Sequence, residues 1–274
     1  MKPDRRTPRC PADHARSGAA VILLALLVAA VPSPSARAEA PSGDAVLRRV
    51  DANIGSDTKA TLATMIIHGR RGSREVGMRS WIQGMERSFT DYLSPARERG
   101  TRMLKLGDLL WTYSPATDRT LQISGHLLRN AVLGSDLSYE DLLEDPRLLN
   151  LYTATVTGSE TVDGRTCWVL DLRARDPGVA YPSRRIHVDQ ERAVVLREQR
   201  FAKSGRLLKT TEVREVTAMG GRWVPTRMVF RDANRDGGGT EFVVHRIAFD
   251  VRIPESLFSK AALRRGGEVD APAP

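Results

Sequence analysis

The sequence predicts a mainly β protein with a few α-helices, built on one large antiparallel sheet. Three observations predict this class. Short runs rich in β-branched and aromatic residues recur at roughly ten-residue spacing, which is typical of hairpins. Turn residues separate the runs, as at Asp163-Gly164 and Gly220-Gly221. Several runs alternate apolar and polar residues, which places one oily face on a sheet. We expect this sheet to curve into a sandwich, a barrel or a half-barrel.

The first 38 residues carry the pattern of a Sec-type signal peptide. Basic residues outnumber acidic ones over residues 1–16, an apolar run of 13 residues follows at 19–31, and Ser35-Ala36-Arg37-Ala38 supplies a small-x-small cleavage site. Thirteen residues are too few for a membrane-spanning helix, which needs about 20. We therefore expect cleavage after Ala38, export to the periplasm, and a single domain over residues 39–274.

The two cysteines limit what kind of exported domain this is. Cys10 belongs to the predicted leader, so Cys167 would be alone in the mature chain and would have no internal disulfide partner. A lone thiol in an oxidising compartment is safest when buried, and its apolar neighbours favour burial. A disulfide-dense scaffold and a cysteine-rich metal site are both excluded.

The first half of the mature chain opens with a helix and continues as strands. Ser42 and Asp44 are capping candidates, and Val46, Val50 and Ile54 follow at helical spacing, which predicts a helix over 42–54. Strands are then predicted at 62–67, 76–83, 85–93, 102–106, 109–113 and 119–123.

The β pattern lapses between residues 129 and 151 and then resumes. Ser138 and Asp141 resemble a capping box that opens a short helix carrying Leu142 and Leu143, and Pro146 interrupts it. Strands are predicted again at 152–157, 166–173, 184–188, 194–201, 207–216, 223–230 and 241–251. A last short helix is expected near Leu257.

The sequence contains none of the common motifs of catalysis. The chain has no Gly-x-Ser-x-Gly elbow, no P-loop and no Gly-x-Gly-x-x-Gly, and its histidines lack the spacing of a helical zinc site. We therefore predict no enzyme, no catalytic residue, no cofactor and no metal. The basic residues around Arg197, Arg200 and Arg206 are interleaved with acids such as Glu198, which indicates solvated sheet faces, transient membrane-surface contact and no nucleic-acid partner.

One acidic loop imitates part of a calcium site. Residues 232–237 fit the first half of an EF-hand loop, but Val243 stands where a bidentate glutamate is required, and strands flank the loop. Three successive glycines also describe an exposed hairpin loop, and we favour that interpretation.

Four segments of the chain together resemble a known family. Residues 107–115 read GDLLWTYSP and are followed by RTLQI at 119–123; residues 134–142 read GSDLSYEDL, residues 221–225 read GRWVP, and residues 249–258 read FDVRIPESLF. In this order they resemble outer-membrane lipoprotein-sorting proteins, relatives of the periplasmic lipoprotein carrier, the LolA-like family. The GSD-x-SYED segment departs from the carriers themselves, which leaves open whether the cargo is a lipoprotein or another lipid.

The resemblance implies an unclosed, half β-barrel whose concave apolar face is covered by a helical lid. It also implies a carrier that takes acyl chains of lipoproteins or related lipids from an inner-membrane transporter complex to an outer-membrane acceptor. An acyl chain in water costs ~0.8 kcal/mol per methylene, so such a carrier needs a dry groove. We expect apolar contacts, rather than buried charges, to line it.

Candidate groove residues are the large apolar side chains of the alternating strands and of the predicted lid. They are Trp81, Met103, Trp111, Tyr113, Leu121, Ile123, Leu142, Leu143, Trp168 and Leu170. The methionines Met78, Met85 and Met228 also suit a cavity that adapts to irregular chains. Each of these residues is equally compatible with an ordinary core. The alternatives to a carrier are a static envelope protein that acts through protein contacts, a lipid-binding accessory of an inner-membrane lipid exporter, and an enzyme acting on lipids or glycans.

Overall fold

The structure is a computed structural model that describes residues 40–266. The predicted signal peptide and its cleavage site after Ala38 lie outside the described residues. Within the described part, one unit begins at Ala40. No helix in it is long and apolar enough to cross a membrane.

The described residues form thirteen strands, four α-helices and three short 3-10 turns. Helix α1 spans Gly43–Ile54 and is followed by β1 Thr58–Gly69, β2 Gly72–Gln83, β3 Arg87–Tyr92, β4 Arg102–Leu106, β5 Leu109–Ser114 and β6 Arg119–Ile123. The 3-10 turns Gly125–Arg129 and Val132–Gly134 lead to α2 Tyr139–Leu143 and α3 Leu148–Leu151. Strands β7 Tyr152–Val162, β8 Arg165–Ala174, β9 Ser183–Asp189, β10 Val195–Phe201, β11 Leu207–Met219, β12 Arg222–Asp232 and β13 Gly239–Phe249 complete the sheet, and the 3-10 turn Glu255–Leu257 and α4 Lys260–Arg265 end the chain.

All thirteen strands belong to one antiparallel sheet in the order β6-β5-β4-β3-β2-β1-β13-β12-β11-β10-β9-β8-β7. Strands β6 and β7 occupy the two edges and do not pair with each other, so the sheet is not closed. Every pair joins strands that are consecutive in sequence except β1 with β13, which joins the two halves of the sheet side by side. This confirms the predicted mainly β class, the antiparallel sheet and the unclosed barrel.

The sheet is strongly curved, as the contacts of the two ends of α1 show. Gly43 lies so close to β7 that a Cβ built on it would fall 2.2 Å from the Ala154 carbonyl oxygen. Near the other end of the helix, the Asn53 amide donates to the Trp223 carbonyl of β12 at 2.8 Å. Ten residues of helix span ~15 Å, whereas five strand intervals of a flat sheet would span ~24 Å. The sheet therefore wraps around α1, which lies against its concave face.

Two further segments cover the sheet. Residues 125–151, with both 3-10 turns, α2 and α3, lie over the concave face and form the lid. The C-terminal segment packs on the opposite, convex face, where Leu257 and Leu263 are fully buried. The predicted last helix is therefore present as a 3-10 turn and α4, and it serves the convex face.

Cys167 is buried and unpaired, as the sequence predicts. Burial raises the pKa of its thiol to about 11, with a smaller contribution from Asp189. The thiol therefore stays protonated and unreactive at neutral pH.

Candidate functional site

The strand register assigns each side chain to one face of the sheet. Opposed residues in adjacent antiparallel strands point to the same side. Pairing across the sheet runs from Leu170 through Ile186, Glu198, Thr211 and Phe230 to the central strands. It continues through Thr240 and Ile67, so this row crosses from β8 to β1 on one face. That face is the concave one, because α1 and the lid contact it.

An inner cavity of ≈ 320 Å³ lies between the concave face and its covers. Its floor includes Val213 of β11 and Met228 and Phe230 of β12, while Val50 and Ile54 of α1 form one wall. The linker between α2 and α3 supplies Pro146 to the same wall. This volume lies at the lower end of the ~300–1,000 Å³ that small-molecule sites occupy.

An outer cavity of ≈ 660 Å³ adjoins the inner one. The two share the lining residues Ile54, Asp141, Glu144 and Pro146. The outer cavity is more polar, because Lys59 of β1 and Lys105 of β4 line it together with the apolar Ile82 and Met85. An oily chamber and a cationic chamber thus meet beneath one lid.

The lid is held in place by residues of the GSD-x-SYED segment. The Ser138 backbone N–H and hydroxyl both donate to the Asp141 carboxylate, at 2.7 and 2.8 Å. This confirms the predicted capping box at the start of α2. Asp136 ties the preceding turn to the sheet, accepting from the Thr240 hydroxyl at 2.6 Å and from the Asp232 backbone N–H at 3.1 Å.

Six charged side chains, each at most 13% exposed, join the lid to the concave face. Asp141 accepts hydrogen bonds from Arg200 at 2.9 Å and from the Tyr181 hydroxyl at 2.6 Å, and it pairs with Lys209. Glu144 pairs with Arg184, which also contacts Glu198 at 2.6 Å. Glu198 contacts Arg200 at 2.9 Å, which closes the network. Three cations of strands β9 to β11 therefore balance three carboxylates, two of which belong to the lid.

The network keeps its carboxylates ionised. Burial by itself raises the pKa of Asp141, but Arg200 and Lys209 outweigh it and hold that pKa at about 2. Burial also opposes ionisation of Glu198, and Arg200 and Arg184 hold its pKa at about 2. The lid is thus fastened by charge at neutral pH.

These charges correct two expectations from the sequence. Arg200 and Glu198 belong to the network and do not lie on a solvated sheet face, because alternate side chains of β10 point toward the lid. The groove also contains buried charges beside its apolar surface, whereas the sequence led us to expect apolar contacts alone.

The predicted groove residues fall on both faces. Trp81, Trp111 and Tyr113 lie on the convex face, where they pack with Phe89, Leu104 and the C-terminal segment. Trp81 pairs with Phe89 and Leu104 with Trp111, so all share one side of the sheet. One groove cannot contain these three residues together with the concave set, because a strand sends alternate side chains to opposite faces.

The other candidates lie on the concave side. Met103 and Ile123 are buried beneath the lid beside Leu143, and Met103 accepts a hydrogen bond from the Tyr92 hydroxyl at 3.2 Å. Trp168 and Leu170 pack under α1. Leu121, on edge strand β6, is 53% exposed. Leu142 lines the outer cavity, alone among the ten candidates.

The inner-cavity residues Val50, Val213 and Phe230 were not among the predicted groove residues, although Met228 was among the candidate methionines. The curl of the sheet selects them, and hydrophobic alternation does not measure curl. The charge network was missed as well, since its members come from four separate segments. The residue types alone look like ordinary surface charge.

The loop at 232–237 connects β12 to β13, which confirms the hairpin interpretation. The Asp232 carboxylate accepts from the Asn234 backbone N–H at 2.9 Å, and Asp236 pairs with Arg70. No group of side chains within residues 40–266 is arranged to hold a metal ion.

Comparisons with known proteins identify a family and related folds. A family model described as "Uncharacterized protein" matches residues 84–265, more than half of the chain. The chain belongs to that family. A LolA superfamily protein from Nitrosomonas europaea is 21% identical, with a TM-score of 0.67 over 81% of this chain and 99% of its own. This chain has the LolA-like fold.

Two more structures share the LolA-like fold. A DUF1329 family protein from Desulfovibrio piger is 24% identical, with a TM-score of 0.75 over 81% of this chain and 97% of its own. A putative outer membrane lipoprotein-sorting protein domain from Vibrio parahaemolyticus is 22% identical, with a TM-score of 0.71 over 81% of this chain and 98% of its own. No curated protein sequence matches the chain. At these identities the likeness establishes the fold.

Proposed function

We propose that this protein is a periplasmic carrier that shelters the acyl chains of a lipoprotein or related lipid while they cross between membranes. It acts by binding and not by catalysis. The cargo comes from an inner-membrane transporter complex and passes to an outer-membrane acceptor. The predicted signal peptide supports this location.

The observation that carries the proposal is the inner cavity between the curled sheet and its lid. Val213, Met228 and Phe230 offer apolar surface there. Transferring a methylene from water to such surface gains ~0.8 kcal/mol. Part of an acyl chain would therefore leave water on entering the cavity, and the lid would exclude solvent above it.

The lid fastening also supports a carrier. The lid is held to the sheet at Asp141 and Glu144 by ion pairs. An apolar seal would compete for the same surface as the cargo, whereas a charged fastening leaves the oily floor available. A lid held this way can close over an empty or a filled groove.

The test is acyl-chain binding by a protein whose inner cavity has been filled. Met228→Trp places a larger side chain in the cavity, and we expect its affinity for a fluorescent fatty-acid probe to fall at least about tenfold, the loss that ~1.4 kcal/mol produces. Val229→Trp is the matched control, because its side chain points to the convex face. Thermal unfolding of both variants verifies that they fold.

Two results would contradict the carrier. Equal probe affinities for Met228→Trp, Val229→Trp and the unaltered protein would show that acyl chains do not enter the inner cavity. Failure to bind the probe, combined with the absence of lipid in solvent extracts of protein purified from cell envelopes, would favour a static envelope protein instead.

A further inference from the structure

The outer cavity contains two lysines without an ion-pair partner among the described residues. Within residues 40–266, neither Lys59 nor Lys105 forms an ion pair, although the carboxylates Asp57, Asp141, Glu144 and Asp250 line the same cavity. Asp141 and Glu144 are occupied by the lid network, and Asp250 faces Arg222 at 3.8 Å. Asp57 is exposed and forms no ion pair with either lysine. Each of the two ammonium groups therefore lacks a carboxylate within ion-pair distance in the described part of the chain.

Both ammonium groups have been drawn out of bulk water. Lys105 is 8% exposed. Within the described residues its ammonium group makes one hydrogen bond, to the Leu143 carbonyl at 2.9 Å. Lys59 makes no hydrogen bond within the described residues. Burial lowers the pKa of Lys59, and Arg222 lowers it further. Burial also lowers the pKa of Lys105, although the charges of Glu86, Asp145 and Asp108 act in the opposite direction. A buried charge without a partner is costly, so an anion from outside would be stabilised here.

We infer that the outer cavity binds the phosphate of an acyl lipid between Lys59 and Lys105, while the acyl chain lies in the adjoining inner cavity. This assignment rests on the proposed carrier function and narrows its cargo to phosphate-bearing lipids. Each ammonium offers three N–H donors. Lys105 uses one of its three for the Leu143 carbonyl. A phosphate can accept several such bonds, and hydrogen bonds between charged groups are the strong ones.

The arrangement matches an amphiphile from end to end. The cationic outer cavity and the apolar inner cavity share Ile54 and Pro146. One lipid could therefore place its headgroup in the outer cavity and its acyl chain in the inner cavity. The acylated end of a lipoprotein carries no phosphate. The lysines therefore favour a glycerophospholipid-like cargo over a lipoprotein.

The experiment compares two lipids that carry the same fluorescent acyl chain, one phosphatidylglycerol and one diacylglycerol. We expect the full chain to bind phosphatidylglycerol at least about tenfold more tightly, the factor that one hydrogen bond to a charged group supplies. Lys59→Met keeps most of the side-chain stem and removes the charge. It is expected to abolish the preference by weakening phosphatidylglycerol binding and leaving diacylglycerol binding unchanged.

The control variants distinguish loss of headgroup binding from loosening of the lid. Lys105→Met also loses a contact to the lid, so any loosening of the lid would alter binding of both lipids, whereas loss of the phosphate contact alters one. Lys203→Met removes an exposed lysine of the β10–β11 hairpin and is expected to keep the preference. Thermal unfolding shows whether each variant is folded.

Three results would overturn the headgroup site. The first is equal affinity of the unaltered protein for both lipids, and the second is a preference that survives Lys59→Met and Lys105→Met together. The third is displacement of labelled phosphatidylglycerol by inorganic phosphate as effectively as by unlabelled phosphatidylglycerol, which would make soluble phosphate the ligand. Failure to bind either lipid would instead refute the carrier function itself.

Discussion

At the level of single residues, Gly43 shows how closely α1 is seated on the sheet. A Cβ there would lie 2.2 Å from the Ala154 carbonyl oxygen and 2.8 Å from the Ala154 Cβ. Because the nearest atom belongs to the backbone of β7, a rotamer change cannot relieve the overlap. The helix that walls the inner cavity therefore requires glycine at its first position.

We expect Gly43→Ala to lower the free energy of unfolding by ~1–3 kcal/mol, the range for added volume in a packed interior. Urea denaturation measures it. Gly158→Ala, in the strand β7 that Gly43 contacts, is the control, since a Cβ at Gly158 meets no atom within 4 Å. Equal stability of the two variants would mean that α1 can move away from β7 without cost.

Trp111 illustrates a side chain whose face decides its role. It is 5% exposed on the convex face, and the Lys260 ammonium lies 4.5 Å from its ring centroid. The residue therefore fixes the C-terminal segment to the sheet. It does not reach the concave cavities.

Trp111→Ala is expected to lower the free energy of unfolding by ~3–5 kcal/mol, as for other large buried side chains, without changing the affinity of the folded fraction for an acyl probe. Denaturation and probe titration measure these separately. Leu121→Ala, on the exposed edge strand β6, is the control and should change stability little. A loss of probe affinity in folded Trp111→Ala would reassign this side chain to the groove.

At the level of elements, the lid is a short helical segment fixed by charge. Helix α2 spans five residues and is too short to be stable by itself. Its position depends on Asp141 and Glu144, which are joined to strands β9 to β11. Buried ion pairs of this kind contribute modest net stability but strongly disfavour removal of one partner.

The charge of the lid network predicts an acid-dependent loss of stability. The folded-state pKa values of Asp141 and Glu198, each about 2, lie below the ordinary values of 3.8 and 4.5. Groups with lowered pKa values stabilise the fold above their ordinary pKa and lose that contribution as pH falls toward the folded value. We therefore expect the free energy of unfolding from these groups to be constant above pH ~5 and to decline between pH ~4.5 and ~2.

Urea denaturation at pH 5 and pH 3 measures this decline. Asp141→Asn supplies the comparison: it should be less stable than the unaltered protein at pH 5, because Arg200 and Lys209 lose a charged partner, and it should lose less stability on acidification. An undiminished decline in Asp141→Asn would show that other carboxylates cause the acid sensitivity.

At the level of the whole molecule, the curled sheet brings together side chains that are far apart in sequence. Val50 of α1, Pro146 of the lid and Phe230 of β12 line one cavity. The cavity exists because α1 contacts both β7 and β12. The same curl sets the cationic outer cavity beside the oily inner one.

Much of the architecture could be predicted because it is written in local patterns. Alternation, turn residues and hairpin spacing located every strand, and the capping box at Ser138 located α2. The family resemblance, carried by four segments between residues 107 and 258, supplied the lid and the unclosed sheet. These features depend on neighbours within about ten residues, which is the range over which periodicity is informative.

The candidate site was less accessible to prediction. Trp81 and Trp111 look like Ile123 and Leu170 in an alternating strand, yet the register sends the first two to the convex face and the last two to the concave face. A strand pattern separates two faces without stating which one is concave. Sequence analysis therefore grouped apolar residues that the sheet separates.

The sequence by itself determined the strands and the alternation that makes the sheet amphipathic, and it predicts an export signal in residues 1–38. Only the tertiary structure decided which apolar row faces a cavity, and that Arg184, Arg200 and Lys209 are buried against lid carboxylates while Lys59 is left without one. The physical reason is that periodicity is a property of short segments, whereas curl and charge neutralisation arise from contacts between segments distant in the chain.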